Sequence, residues 1–150
     1  MATHIASTDA RPTLVRFLPR AVLSVVTATG LVIDAVIHLQ FAADRDSIGG
    51  TLSEGNLFRI ESAAALLAAV LVLVLPWRRT AYAVAFVIAA SAFGAVMLYR
   101  YVDVGALGPI PNMYEPVWFH NKTVSAVAEA VAAFFAAGGF VLASFRRRTA

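Results

Sequence analysis

The chain contains no cysteine. That removes disulfides, thiolate metal sites and thiol redox chemistry, and with them every function built on a CxxC pair. Charge is scarce as well: 14% of the 150 residues are charged against 60% hydrophobic, whereas a soluble domain carries about a quarter charged residues. With a mean hydropathy of +0.76, a core this small has no room to hide so much apolar surface. Lysine is nearly missing, since eleven of the twelve basic residues are arginine. Together with the abundance of alanine, this matches the usage of high-GC bacterial genomes, and a bacterial inner membrane is the expected location. No GxSxG elbow, Walker loop or dinucleotide fingerprint occurs, so acyl-transfer and nucleotide chemistry have no support.

What the chain does have is apolar length. Four stretches, residues 21–41, 57–77, 81–101 and 124–145, each supply about the 20 residues that a helix needs to cross a hydrocarbon core. A signal peptide is the rival reading of the first, with Arg16 and Arg20 ahead of an apolar run. No small-x-small cleavage site follows, however, and Asp34 and His38 interrupt the run. The net charge of +3 forms no basic stripe. The arginines flank the apolar runs in short clusters, which is the pattern of membrane topology, with the lipid bilayer and not nucleic acid as the partner.

Basic residues stay preferentially on the cytoplasmic side. With the N-terminus inside, Arg11, Arg16, Arg20, Arg78, Arg79, Arg146, Arg147 and Arg148 fall inside, and only Arg45, Arg59, Arg100 and Lys122 fall at the outer face. The expected fold is therefore an all-α integral membrane protein, a four-transmembrane-helix bundle with both termini cytoplasmic. Residues 1–20 form a cytoplasmic tail, unstructured around 7–12, residues 21–145 a single domain, and 146–150 a basic tail. The inner connection, 76–80, is a tight turn, and the two outer connections, about 42–56 and 102–123, are longer and rich in Gly, Pro, Asn and Asp. Small residues four apart, Ala64 with Ala68, Ala90 with Gly94, Ala126 with Ala130 and Ala133 with Ala137, suggest close helix packing.

The acidic residues are more informative. Asp9 alone lies inside, and Asp34, Asp44, Asp46, Glu54, Glu61, Asp103, Glu115 and Glu129 all lie in outer loops or the outer halves of helices, with His38 and His120. Acidic residues contribute little to the positive-inside bias, so their clustering needs another cause. Asp34, His38, Glu61 and Glu129 sit about one to two turns below the outer boundary on three different helices. Asp34 and His38 are four apart and share a helix face. An ionised group facing lipid at mid-membrane costs ~2.5 to 3.5 kcal/mol, so these side chains are expected to converge inside the bundle.

Two readings compete for this cluster. In the structural one, Arg59 and Arg100 neutralise Glu61, Asp34 or Glu129 and fix helix register. Two arginines cannot fully neutralise three intramembrane carboxylates plus Asp103 and Glu115, and proton uptake or cation binding would relieve the surplus. In the functional reading Asp34, His38, Glu61, Arg100 and Glu129 therefore form an outward-facing site for a cation, proton or small polar ligand. Asp34, His38, Glu61 and Glu129 are its candidate metal ligands, and imidazole with carboxylate suits zinc, manganese, iron or copper(II).

The second outer loop concentrates Pro109, Pro111, Tyr114, Pro116, Trp118 and Phe119, which reads as an aromatic belt at headgroup level. The alternative is an ordered cap, with Arg59, Asp103, Tyr114, Glu115, Trp118 and His120 as lid or surrounding residues. Haem, on His38 and His120 with an arginine for the propionates, is a weaker cofactor reading. A non-catalytic accessory subunit of a larger membrane complex, or a homo-oligomer held by the same buried charges, is the alternative function. A membrane-embedded metal-, haem- or quinone-dependent enzyme, with Glu61 or Glu129 as general base, is the third, and it requires an outward pocket large enough for an organic molecule.

Overall fold

The computed structural model describes residues 11–49 and 51–145, with side chains from Pro19 onward. Asp9, Arg146, Arg147 and Arg148, and residues 7–10 of the expected tail, lie outside the described residues. Four helices make up the fold: α1 (Arg11–Ala42), α2 (Glu54–Val74), α3 (Arg79–Tyr101) and α4 (His120–Phe145). All four are long and apolar enough to cross a membrane, α1 through its Pro19–Ala42 portion.

Local chemistry sets the helix ends. Ser53 caps α2, its hydroxyl accepting from the Asn56 backbone N–H at 3.1 Å, and Glu54 follows in the first turn, where a negative charge suits the helix dipole. The helix thus begins three residues ahead of its apolar run. It stops at Val74 because Pro76 disfavours the helical conformation for the residue before it. At the other side of the bundle α4 starts at His120, shortly after Pro116.

The helices run in cyclic order, each beside its sequence neighbours, with α4 closing back onto α1. α1 packs along both α2 and α4, and α3 packs mainly on α4. The seam between α2 and α3 is the loosest of the four, and α1 and α3 barely touch across the diagonal. The packing is inside out relative to a soluble protein. Ala35, Ala65, Ala68, Ala85, Ala132 and Ala136 are buried, while Leu67, Val87 and Phe134 are 67%, 63% and 74% exposed. Small residues let membrane helices approach closely, and large apolar ones meet lipid.

α1 and α4 approach closely. A Cβ on Gly30 would lie 2.7 Å from the Ala128 carbonyl oxygen and 3.0 Å from the Ala132 Cβ, so only glycine fits there. The close seam on α4 runs through Ala128, Ala132 and Ala136, between the pairs expected from the sequence. Gly94 of the expected Ala90 pair faces outward with nothing near its missing Cβ. Gly30→Val is expected to destabilise the bundle by about 1–3 kcal/mol through overpacking. Gly94→Ala is expected to leave it unchanged or stabilise it by about 0.5–1 kcal/mol through helix propensity. Unfolding of the two variants in the same detergent checks the contrast.

Candidate functional site

Asp34 and His38 occupy one face of α1, one turn apart, and that face turns inward. Asp34 is 1% exposed. The His38 Nδ1 lies 2.9 Å from the Asp34 Oδ1, 3.1 Å from the Asp34 carbonyl oxygen and 3.4 Å from the Glu61 Oε2. A nitrogen facing three oxygens carries a hydrogen when no cation takes its place. Phe58, one turn before Ser62 on α2, holds the imidazole by an edge contact with ring centroids 4.9 Å apart. Ser62 bridges α2 to α1, its hydroxyl shared between the Phe58 carbonyl of its own helix at 2.7 Å and the Ala35 carbonyl at 3.0 Å, and so brings Glu61 beside His38.

The ligand atoms of Asp34, His38 and Glu61 all fall within 4.8 Å of one another. A divalent ion held at about 2.0–2.2 Å by each donor separates neighbouring donors by roughly 3.3–3.6 Å in a tetrahedral site, and the His38 nitrogen stands 2.9 and 3.4 Å from the two carboxylates. Glu129, also 1% exposed, stands behind this triad. Ser125 Oγ lies 2.5 Å from the Asp34 Oδ1 and 3.2 Å from the Glu129 Oε1, so one hydroxyl links both carboxylates and joins α1 to α4. Asp34 Oδ2, both Glu61 carboxylate oxygens and Glu129 Oε2 are buried without a hydrogen-bond partner among the described residues. Acceptors in that position demand a proton, a cation or a donor group.

The cations at the outer face are engaged elsewhere, which corrects the expectation that Arg59 and Arg100 neutralise the cluster. Arg59 makes a two-pronged pair with Asp46 at 2.5 and 2.8 Å, and this partner holds the exposed Asp46 carboxyl below its ordinary range. Arg45 donates to both oxygens of Glu54 at 3.1 and 3.3 Å. The Arg100 guanidinium stacks over Tyr101 and Trp118, 5.0 and 5.7 Å from the ring centroids. In each case the partner is a residue of the outer loops or of the adjoining first or last turn of a helix. Pairing there spares each guanidinium the desolvation that reaching the buried carboxylates would cost.

A cavity of about 490 Å³ adjoins the triad, with His38, Glu61 and Ser125 on its wall. The second outer loop covers it. Ile110, Met113, Glu115 and Phe119 line the cavity, while Tyr114 and Trp118 are 40% and 37% exposed. The same loop thus lines the cavity with some residues and exposes aromatic side chains with others. The Glu115 backbone N–H donates to the Tyr99 carbonyl at 3.0 Å, Lys122 Nζ donates to the Glu115 carbonyl, and Asp103 accepts from Gly105 and Asn112 at 3.1 and 2.9 Å. Asp103 thus folds the loop and does not reach the triad. His120 is exposed at the start of α4 and does not line the cavity, so it does not face His38 across a shared space as two haem ligands would.

Ser125 escaped the sequence reading, although it stands four residues before Glu129, the same spacing that picked out Asp34 and His38. No protein-family model, curated protein or solved structure matches the chain. Ser125→Ala removes the hydroxyl that can donate to either of two buried carboxylates and is expected to cost about 1–3 kcal/mol. Denaturant unfolding in micelles measures it, and wild-type stability would show that the hydroxyl carries no weight.

Proposed function

We propose that this membrane protein binds a divalent transition-metal ion, in exchange with protons, at Asp34, His38 and Glu61 in the outer half of the bundle. It lies in a bacterial inner membrane with both termini cytoplasmic. The observation that carries the reading is the convergence of an imidazole nitrogen and two carboxylates within 4.8 Å, with His38 and Glu61 on a cavity wall and Arg45 and Arg59 paired with Glu54 and Asp46 instead. Mixed nitrogen and oxygen donors suit zinc, manganese, iron or copper(II). Glu129 and Ser125 complete the site from behind by orienting Asp34 and holding a second carboxylate near the ion.

Metal ions and protons compete for the same donors, because imidazole and carboxylate bind metal only when deprotonated. Acidification is therefore expected to release the ion, and removal of a donor to weaken it. Elemental analysis of the detergent-purified protein, after dialysis against zinc or manganese, is expected to give one ion per chain in the wild type. His38→Ala and Asp34→Asn should each lower affinity by about tenfold or more. Metal-free wild-type protein under these conditions would sink the reading.

A second reading keeps the same residues as a register-fixing network in an accessory subunit of a larger complex or in a homo-oligomer. The Ser125 bridge from α1 to α4 favours it. It would be selected if Asp34→Asn unfolded the bundle while no metal bound to the wild type.

The absence of cysteine makes the orientation directly testable. With Thr51→Cys in the first outer loop, a membrane-impermeant maleimide added to intact spheroplasts should label the protein. With Thr80→Cys in the inner turn it should label only after lysis. The reverse pattern would invert the topology.

A further inference from the structure

The cavity beside the triad is open in an unusual direction. Its outer side is covered by Ile110, Met113 and Glu115 of the capping loop. Ile60 on α2, 60% exposed, and Ser91 and Ala95 on α3, both exposed, line the same cavity. Residues that face both the cavity and the lipid-facing surface mark its mouth, and these lie along the α2–α3 seam, the loosest in the bundle. An occupant of this space enters sideways from the membrane and is lipid-soluble.

The walls narrow its chemistry. Phe41, Phe58, Tyr99 and Phe119 line the space and offer faces and edges to a flat ring. Neither Glu61 oxygen accepts a hydrogen bond among the described residues, His38 Nδ1 standing 3.4 Å from Oε2, so a hydroxyl at the polar end of the occupant finds an open acceptor there. Among the charged lining residues, Glu54, Glu61 and Glu115 face only Arg45 and Lys122. Arg45 is already held by Glu54, and Lys122 by the Glu115 carbonyl. That balance repels a carboxylate or phosphate head. A volume of about 490 Å³ takes a ring and the first part of a tail, within the roughly 300–1,000 Å³ of small-molecule sites.

We infer that the cavity takes a lipid-soluble hydroxylated aromatic molecule, of the phenol or quinol type, which enters between α2 and α3 and donates its hydroxyl hydrogen to Glu61. The inference deepens the reading of the outer cluster as a ligand site, because the ring hydroxyl comes to rest beside the same His38 and Glu61 that receive the ion.

The test uses the full chain in phosphatidylcholine nanodiscs, titrated with 4-decylphenol and separately with decylbenzene, which has the same tail and no hydroxyl. Native mass spectrometry is expected to find one phenol per chain, with decylbenzene about five- to tenfold weaker, the worth of one hydrogen bond. Ala92→Trp on the α3 wall and Ala95→Trp at the mouth each place an indole in the space. Both should abolish phenol binding while leaving zinc uptake at the wild-type level. Equal binding of the two probes, or unaltered phenol binding in either folded tryptophan variant, overturns the inference. Stoichiometric zinc with no phenol binding overturns it and leaves the metal reading standing. One phenol per chain in a protein that takes up no zinc supports it and removes the metal reading alone.

Discussion

A carboxylate in hydrocarbon has to find a partner or give up its charge, at a cost of several kcal/mol if it does neither. Three helices of this protein each carry one such group, Asp34, Glu61 and Glu129, and one end of the bundle is organised around bringing them together. Satisfying them fixes the rotation of α1, α2 and α4 about their own axes. It also places His38 between two of the carboxylates and Ser125 between the other pair. Elsewhere the interior is mostly small and apolar, with alanine predominant, and alanine packing by itself specifies register weakly because neighbouring registers bury similar surfaces.

The four seams of the bundle are unequal, and the inequality positions the site. α1 meets α4 at Gly30 with no room for a side chain, and α1 meets α2 through the Ser62 hydrogen bond to the Ala35 carbonyl. These two tight seams hold the donors of the cluster within ångströms of one another. The α2–α3 seam stays loose in the outer half, and the space left there becomes the cavity against which His38 and Glu61 are exposed. Preorganised donors on rigid helices, next to a space that something can enter, are what a binding site in a membrane requires. The capping loop supplies the remaining wall, tied to α3 at Tyr99 and to α4 at Lys122.

Much of this was legible in the sequence, for identifiable reasons. Membrane-length apolar runs have a strong signal, and the four helices fall where the runs are. The i, i+4 spacing of Asp34 and His38, together with the cost of facing lipid, is sufficient to put them inside with Glu61 and Glu129. Partner choice was not legible. Arg59 and Arg100 look like counter-ions to the buried acids until the outer loop brings Asp46 to one and aromatic rings to the other. The capping loop has no helical period to read, so the inward turn of Glu115 and the exposure of Tyr114 emerge only from the folded chain. Ser125 was within reach, since a serine one turn from a buried glutamate is a natural hydrogen-bond partner. The seam was only partly legible, since α4 is so rich in alanine that pairs four apart occur in almost every register.

The most direct test of the account is the identity of the atoms around a bound ion. Copper(II) added in stoichiometric amount to the purified protein reports its ligands by electron paramagnetic resonance, with nitrogen couplings distinguishing imidazole from carboxylate. The account predicts a site with a single imidazole nitrogen among oxygen ligands, and loss of that nitrogen coupling in His38→Ala. A spectrum with several nitrogen ligands, or one that His38→Ala leaves unchanged, would place the ion elsewhere and contradict the assignment of Asp34, His38 and Glu61 as its site.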